Sequence, residues 1–250
     1  IINSELSGGY YGIVIYGSSA VSKVAGFIIE NNNIESYYYG VRLNYCQDIS
    51  MVGHLIASTS PYGYGVYLNY PDNFDVSANE INATRALYLI QANQTTQTTN
   101  STVVNNMCSA NDYAFYVSAA NDVDVYHNSF KGGNRGGLIY GLLNNVDIRN
   151  NIFQGGTGEA IYYTGALTTV SIDYNVYFTA GYPKLDDTVK IIGYLQENGV
   201  DLVELGMPYS DPLADGVTIQ KSSAQALKNG ITLDIIFDQV KKARENYDIP

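Results

Sequence analysis

The chain has 250 residues, a net charge of −11 and a charged fraction of only 15%. This length allows one large domain or two small ones. An acidic chain without a basic patch argues against nucleic acid and anionic membrane surfaces as partners, and no apolar run is long enough to span a bilayer. Cys46 and Cys108 lack the spacing of a disulfide framework or a metal site. We therefore expect two buried thiols, no metal and no cofactor.

The first predicted elements are the strands of an internal repeat. A block that starts with a small residue and continues with apolar residues and tyrosine recurs every 21 to 28 residues. Its copies begin at Gly12, Gly40, Gly65, Ala86, Ala114, Gly137 and Ala160. Because 24 tyrosines accompany abundant Asn, Ser, Thr and Gly, the composition also favours strands joined by turns.

A second block follows each copy of the first and alternates apolar with polar residues until it reaches a shared polar residue. This alternation predicts a strand with one buried face. The shared residues are Asn32, His54, Asn79, Asn106, Asn128, Asn151 and Asn175. Asn tolerates the left-handed backbone of a tight turn, so we expect that turn at these residues. If successive turns stack, their side chains form a hydrogen-bonded ladder.

Together, the two blocks resemble the right-handed parallel β-helix of the pectate-lyase-like superfamily over residues 8–177. We therefore expect a mainly β fold of about seven coils, with a β-helix domain over residues 1–177. A β-sandwich or barrel is the alternative, but those folds use hairpins, and few two-residue Asn-Gly or Asp-Gly connections occur. The resemblance implies a secreted or cell-surface protein.

Two acidic residues of this array are candidates for a carbohydrate site. Asp124 and Asp147 fall at equivalent positions of adjacent coils, where two close carboxylates could share a proton or a cation. β-Helix enzymes that cut polysaccharides use such clustered acids, here with Arg135 and Arg149 as basic candidates. The alternative is an exposed polar ladder with no catalytic role. Tyrosine rings could stack on sugars, so a glycan is the expected partner.

After Tyr177 the predicted elements change to α/β. Helical spacing predicts helices over residues 188–197, 222–228 and 233–244, the last with Thr232 as N-cap. The apolar run over residues 201–205 predicts a buried strand. Strand, helix, strand, helix (βαβα) is the order of a parallel α/β sheet, so residues 178–250 form the second predicted domain.

The segment Glu204-Leu-Gly-Met-Pro-Tyr-Ser-Asp-Pro-Leu-Ala-Asp-Gly216 resembles the active-site segment of the tryptophan synthase alpha chain. The resemblance covers residues 177–250 and implies part of a TIM barrel that cleaves a small-molecule substrate, indole-3-glycerol phosphate. It implies that Glu204 is the general acid–base and that Asp215 holds the indole nitrogen. It places Asp211 and Pro212 in a loop that faces the tryptophan synthase beta chain, a possible partner, and it implies a cytoplasmic location for this segment.

Only about 74 residues carry this second resemblance, whereas a (β/α)8 barrel needs about 250. We therefore interpret the chain as a β-helix rod, carbohydrate-binding or structural, joined to a lyase fragment that is inactive alone. Two enzyme hypotheses stay open: an indole-3-glycerol-phosphate lyase, and a β-helix polysaccharide lyase or hydrolase. The chain starts at Ile1 rather than Met, so a lost export signal also stays open, as does an engineered or artefactual joint.

Overall fold

A computed structural model describes residues 1–94, 101–165, 169–179, 187–197, 203, 205–208 and 217–248. The chain divides into two compact units, Ile1–Gly181 and Tyr182–Pro250. The first unit is built from strands, and the described part of the second unit contains helices.

The strands of the first unit follow one another without an intervening described helix. In chain order they are β1 (Glu5–Tyr16), β2 (Val24–Glu30), β3 (Asn33–Asn44), β4 (Cys46–Val52), β5 (Leu55–Ser58), β6 (Tyr64–Asn69), β7 (Asp72–Ser77), β8 (Glu80–Ala83), β9 (Arg85–Ile90), β10 (Ser101–Val104), β11 (Met107–Ala110), β12 (Tyr113–Tyr126), β13 (Ser129–Gly132), β14 (Arg135–Arg149), β15 (Ile152–Gly155), β16 (Ile161–Thr164), β17 (Val170–Asp173) and β18 (Val176–Thr179).

Strands of successive coils pair in parallel and form three sheets along the solenoid. Sheet 1 takes the first block of each repeat, in β1, β3, β6, β9, β12, β14 and β16. Sheet 2 takes the second block, in β2, β4, β7, β10, β12, β14 and β17. Sheet 3 follows the shared polar residues, in β3, β5, β8, β11, β13, β15 and β18. The predicted mainly β fold, a parallel β-helix of about seven coils, is confirmed.

The interior between the sheets is filled by rows of apolar side chains. Val41 and Val66 face each other across adjacent coils of sheet 1 and are fully buried. Further along, the rings of Phe115, Phe130 and Phe153 stack in sequence, with centroids 4.7 and 5.1 Å apart. Each coil therefore buries apolar surface chiefly against its neighbours, at about 25 cal/mol per Å².

The small residue that opens each first block has a steric cause. A Cβ atom added at Gly40 would lie 2.3 Å from Ile56 Cγ2 and 2.6 Å from the carbonyl oxygen of Gly65. A Cβ at Gly65 would lie 2.2 Å from Ile81 Cγ2. The branched apolar residue of sheet 3 thus occupies the space that a larger side chain at the start of the block would need.

The predicted ladder of polar side chains runs along one corner of the solenoid. The backbone N–H of Asn106 donates to Asn128 Oδ1 at 2.8 Å, and that of Asn128 donates to Asn151 Oδ1 at 2.9 Å. The side-chain amides of Asn106 and Asn128 donate to the same two acceptors at 2.9 Å each. Equivalent backbone-to-side-chain bonds extend the series from Ser4 to Asn175. All seven predicted ladder positions are confirmed.

The left-handed backbone, however, lies one residue before the predicted place. Positive φ angles occur at Asn31, Ala78, His127 and Tyr174, with values of 51°, 55°, 57° and 52°, and not at the ladder residues that follow them. The prediction was wrong because the left-handed residue makes the bend, and the ladder residue after it turns its side chain inward to the stacked hydrogen bonds.

Three helices form the described part of the second unit: α1 (Asp187–Glu197), α2 (Val217–Lys228) and α3 (Leu233–Asn246). The predicted N-cap is confirmed, since the Thr232 hydroxyl accepts a hydrogen bond from the N–H of Ile235 at 3.3 Å. Ile192 of α1 and Ala243 of α3 are buried together, and Val203 and Leu205 pack on them.

The predicted start of the second helix was wrong. Helix α2 begins at Val217 rather than Ser222, because no glycine or proline interrupts the residues between them. Residues 201, 202 and 204 of the predicted strand lie outside the described residues, so the βαβα order stays a prediction. The backbone of Phe178 pairs with Gln154 in sheet 3, which places this residue in a strand of the last coil.

Candidate functional site

The outward side of sheet 1 carries rings and guanidinium groups on successive coils. In each first block, inward apolar residues such as Val41 and Leu43 alternate with outward residues such as Arg42. Arg42 is in register with Tyr67 on the next coil, and Tyr67 with Tyr88 on the one after. We call this surface the tyrosine face. Its residues are Tyr11, Tyr16, Tyr39, Arg42, Tyr64, Tyr67, Arg85, Tyr88, Tyr113, Tyr116, Arg135 and Tyr162.

The rings of the tyrosine face pack on one another across the coils. Tyr39 stacks on Tyr64 with a centroid distance of 5.1 Å and an interplanar angle of 12°, and Tyr88 stacks on Tyr116 at 4.6 Å and 11°. An edge-to-face contact at 5.0 Å joins Tyr64 to Tyr88. Such contacts each contribute about 0.5–1.5 kcal/mol beyond area burial, so the face is a rigid surface rather than a set of independent side chains.

Three arginines are interleaved with these rings. The guanidinium of Arg85 lies 5.1 Å from the Tyr64 centroid, and that of Arg135 lies 4.7 Å from the Tyr162 centroid. Both also have a carboxylate partner, because Arg85 lies 3.5 Å from Asp112 and Arg135 pairs with Glu159. The guanidinium of Arg42 lies over three rings instead. Cation–π attraction holds all three side chains against the face.

The hydroxyl groups of Tyr39, Tyr67 and Tyr88 stay protonated in the neutral range. Burial raises the pKa of Tyr39 to about 12, although the Arg42 charge opposes this, and burial raises the pKa of Tyr67 and Tyr88 as well. Tyr11, Tyr16 and Tyr162 remain exposed at the margins. The face can therefore offer flat apolar rings together with hydroxyl groups that donate hydrogen bonds.

The sequence analysis noted that tyrosine could stack on sugars but did not find this face. The signal was present, since the third residue of successive first blocks is Arg42, Tyr67, Tyr88 and Tyr116. Aligning the outward residues of the blocks, in the same way as the ladder residues, would have placed these side chains in one row.

The two predicted acidic residues, Asp124 and Asp147, lie in register on sheet 2. The Tyr126 hydroxyl lies 3.2 Å from Asp124 Oδ1 and 2.7 Å from Asp147 Oδ2, and Arg149 pairs with Asp147. Burial and the two carboxylates hold the pKa of Tyr126 well above its usual range. The structure brings these four groups together, whereas Arg135, the other basic candidate, pairs with Glu159 instead.

The residues assigned to lyase chemistry are not placed by the structure. Glu204, Asp215, Asp211 and Pro212 lie outside the described residues. Their roles therefore stay predictions that rest on the sequence motif.

Sulfur and imidazole side chains lie mostly inside the solenoid. Cys46 and Cys108 are buried, which raises the pKa of both thiols. Met107 and His127 are exposed and line one groove with Asn105 and Ile152. Across the described residues, no three His, Cys, Asp or Glu side chains come together as a metal site. None of the helices in the described part is long and apolar enough to cross a membrane.

Two family models match different parts of the chain. A model described as periplasmic copper-binding protein (NosD) matches residues 1–134, and one described as tryptophan synthase alpha chain matches residues 172–250. The predicted β-helix and tryptophan synthase alpha resemblances are confirmed, while the pectate-lyase-like superfamily stays an expectation. The second match begins within β17, so its first residues belong to the last coil.

Curated relatives match the C-terminal segment. The tryptophan synthase alpha chains of Flavobacterium johnsoniae and Flavobacterium psychrophilum are 62% and 57% identical to this chain over 76 residues, and that of Bacteroides thetaiotaomicron is 47% identical. Each match covers 30% of this chain and 30% of the relative, so the chain spans less than a third of these relatives' length. No solved structure matches the chain.

Proposed function

The chain belongs to the family described as periplasmic copper-binding protein (NosD), and from that premise we propose that its β-helix is a rod that binds carbohydrate on the tyrosine face. The single observation that carries the proposal is the continuous row of rings in register on successive coils. Sugar rings present apolar C–H surfaces framed by hydroxyl groups, which suit a surface of aromatic rings with polar tips.

The rigidity of the face favours binding. Because Tyr39, Tyr64, Tyr88 and Tyr116 already pack on one another, they lose little rotational freedom when a ligand covers them. Ordering a free side chain costs about 0.5–1.5 kcal/mol on binding, and this cost is largely absent here.

The test is binding of the purified chain to immobilised polysaccharides, measured as an apparent Kd. Tyr16→Ala and Tyr162→Ala remove rings that are 51% and 41% exposed on the face. Tyr174→Ala is the matched control, because this ring is 72% exposed and lies outside the face. The proposal is supported if binding weakens in Tyr16→Ala and Tyr162→Ala but not in Tyr174→Ala. Equal binding in all three variants, or no binding by the original chain, refutes it.

Copper binding is a second candidate function for the β-helix, because the description of the matched family names it and one groove fits. The ring nitrogens of His54 both contact backbone groups, and the two thiols are buried. Met107 and His127 are the accessible sulfur and imidazole side chains of the described β-helix, and they line the same groove. Thioether and imidazole ligands suit Cu(I), so this pair would hold the ion.

Titration of Cu(I) against a chromophoric chelator tests the copper proposal. We expect Met107→Leu and His127→Gln each to weaken binding, and Met51→Leu, which changes a buried thioether, to leave it unchanged. A copper affinity that neither of the first two substitutions alters would show that the groove is not the site.

For the C-terminal segment we propose the lyase roles that its motif implies, with Glu204 as general acid–base and Asp215 as the partner of the indole nitrogen. The segment matches about 30% of the length of its relatives, so we propose that it does not turn over indole-3-glycerol phosphate alone. Indole release that is lost in Glu204→Gln would overturn the proposed inactivity. Asp211 and Pro212 are the proposed contacts to a tryptophan synthase beta chain, which Asp211→Ala would weaken in a pull-down.

Polysaccharide cleavage at Asp124 and Asp147 is a weaker alternative. Tyr126 and Arg149 already occupy oxygen atoms of these carboxylates, which favours a polar row that holds sheet 2 together. Cleavage of a polysaccharide that disappears in Asp124→Asn would favour the enzyme instead.

A further inference from the structure

One cation of the tyrosine face differs from the others in its surroundings. The guanidinium of Arg42 lies 5.2, 4.7 and 5.4 Å from the ring centroids of Tyr16, Tyr39 and Tyr67. Its Nε atom is buried and has no hydrogen-bond partner among the described residues, although the side chain as a whole is only half-buried. Arg42 is thus surrounded by three tyrosine rings, and part of its guanidinium is accessible.

The described register partners of Arg42 carry no charge that could balance it. Across sheet 1, its register partners are Val14 and Tyr67. Tyr39 and Tyr67 add no negative charge in the physiological range, since their pKa values are raised. Within the described part of the chain, no carboxylate forms an ion pair with Arg42, whereas Arg85 and Arg135 each have one.

This arrangement is unusual because acids are abundant in the chain. It has 24 Asp and Glu residues against 13 Lys and Arg. A partly buried guanidinium without a counter-ion loses hydration that cation–π contacts replace only in part. An anion brought by a ligand would supply the missing charge and the missing acceptors.

We propose that the tyrosine face binds an acidic glycan and that Arg42 receives its anionic group, a carboxylate or a sulfate ester. This inference rests on the proposed carbohydrate binding and specifies the class of ligand. The planar guanidinium donates two parallel hydrogen bonds to either oxyanion, while the adjoining sugar ring lies on the neighbouring tyrosines. Arg85 and Arg135 do not take this role, because Asp112 and Glu159 already balance their charge.

The experiment compares three polymers: alginate for carboxylates, dextran sulfate for sulfate esters, and dextran as the uncharged polymer. The apparent Kd of the full chain is measured for each by affinity electrophoresis, at low and high salt. We expect Arg42→Gln to weaken binding of at least one acidic polymer about tenfold, the size of one lost charge-assisted hydrogen bond, and to leave dextran binding unchanged. Arg42→Lys should restore part of the loss, since it keeps the charge but not the planar pair of donors.

Lys131→Gln is the matched control, because it removes one positive charge from an exposed residue of sheet 3, away from the face. It should bind all three polymers as the original chain does. Loss with alginate only, or with dextran sulfate only, identifies the anionic group, and either result supports the proposal.

Unchanged binding of both acidic polymers by Arg42→Gln overturns the inference, and so does an equal loss for dextran. In both cases carbohydrate binding by the tyrosines would still stand. No binding of any polymer by the original chain would instead remove the proposed function itself. If Arg42→Gln does not fold, as judged by circular dichroism, the test uses Arg42→Lys and the salt dependence instead. The inference is then overturned if binding of the acidic polymers is the same in Arg42→Lys as in the original chain and the same at low and high salt.

Discussion

The Nδ1 atom of His54 accepts a hydrogen bond from the backbone N–H of Asn32 at 3.0 Å, in the place where neighbouring coils use an asparagine oxygen. The other ring nitrogen, Nε2, lies 2.9 Å from the carbonyl oxygen of Ile29 and must donate to it. The imidazole therefore fits the ladder only as the neutral tautomer with its proton on Nε2.

Acid should lower the free energy of unfolding through protonation of His54. Burial lowers the pKa of His54 below its usual value in the folded chain, so near pH 6.5 the unfolded chain binds more protons than the folded chain. The contribution of His54 to stability is therefore complete above that pH and is lost as pH falls towards the lowered folded-state pKa. Chemical denaturation at pH 7.5 and pH 5 measures this loss.

His54→Asn is the matched variant for the acid prediction, because asparagine can make both ladder contacts without titrating. We expect it to fold at pH 7.5 and to lose less stability at pH 5 than the original chain. An identical pH dependence in both proteins would show that His54 does not control the acid response.

Truncating a ladder residue should be costly. Asn128→Ala removes the acceptor of the Asn106 N–H and one donor to the carbonyl oxygen of Val103 in a buried corner. We expect a loss of about 3 kcal/mol in the free energy of unfolding, since each buried unsatisfied group costs about 1–3 kcal/mol. Asn111→Ala is the control, because that exposed side chain makes no hydrogen bond within the described residues. Equal denaturation midpoints for the two variants would contradict the prediction.

The stacked phenylalanines should dominate the core of the later coils. Phe130 is fully buried between Phe115 and Phe153, so Phe130→Ala should lower the free energy of unfolding by about 3–5 kcal/mol. Phe237→Ala removes the same ring from a site that is 64% exposed on α3, and it should cost well under 1 kcal/mol. Thermal unfolding followed by circular dichroism measures both, and comparable losses would argue against a stacked core.

The left-handed residues before the ladder offer a stabilising change. Ala78 has a φ of 55°, a conformation that glycine adopts without the steric cost of a Cβ atom. Ala78→Gly should raise the free energy of unfolding by up to about 1 kcal/mol. Ala86→Gly, in the extended backbone of β9, should lower it by about 1 kcal/mol. If both substitutions destabilise the chain, the positive φ at Ala78 carries little strain.

Much of the fold could be predicted because the same residue type recurs at the same position of several repeats. A single Asn at a strand end means little, but Asn79, Asn106, Asn128 and Asn151 at one repeat position predict stacked turns, and the structure has them. The left-handed residue was misplaced because Asn suits both positions: Asn150 makes the bend and Asn151 makes the ladder. Propensity alone does not separate these two roles.

The sequence by itself determined the strand periodicity, the ladder and the change from strand alternation to helical spacing near Tyr177. Each of these depends on local residue spacing, which can be read directly from the sequence. Only the tertiary structure decided which contacts the outward residues of this surface make. Arg42 and Tyr67 are 25 residues apart in the chain yet adjacent on sheet 1, and among the residues that the structure describes Arg42 lacks the acid partner that Arg85 has. Register between coils depends on the lengths of the connecting loops and on close packing inside the solenoid, so the ring contacts and ion pairs of this face are fixed only when the coils stack.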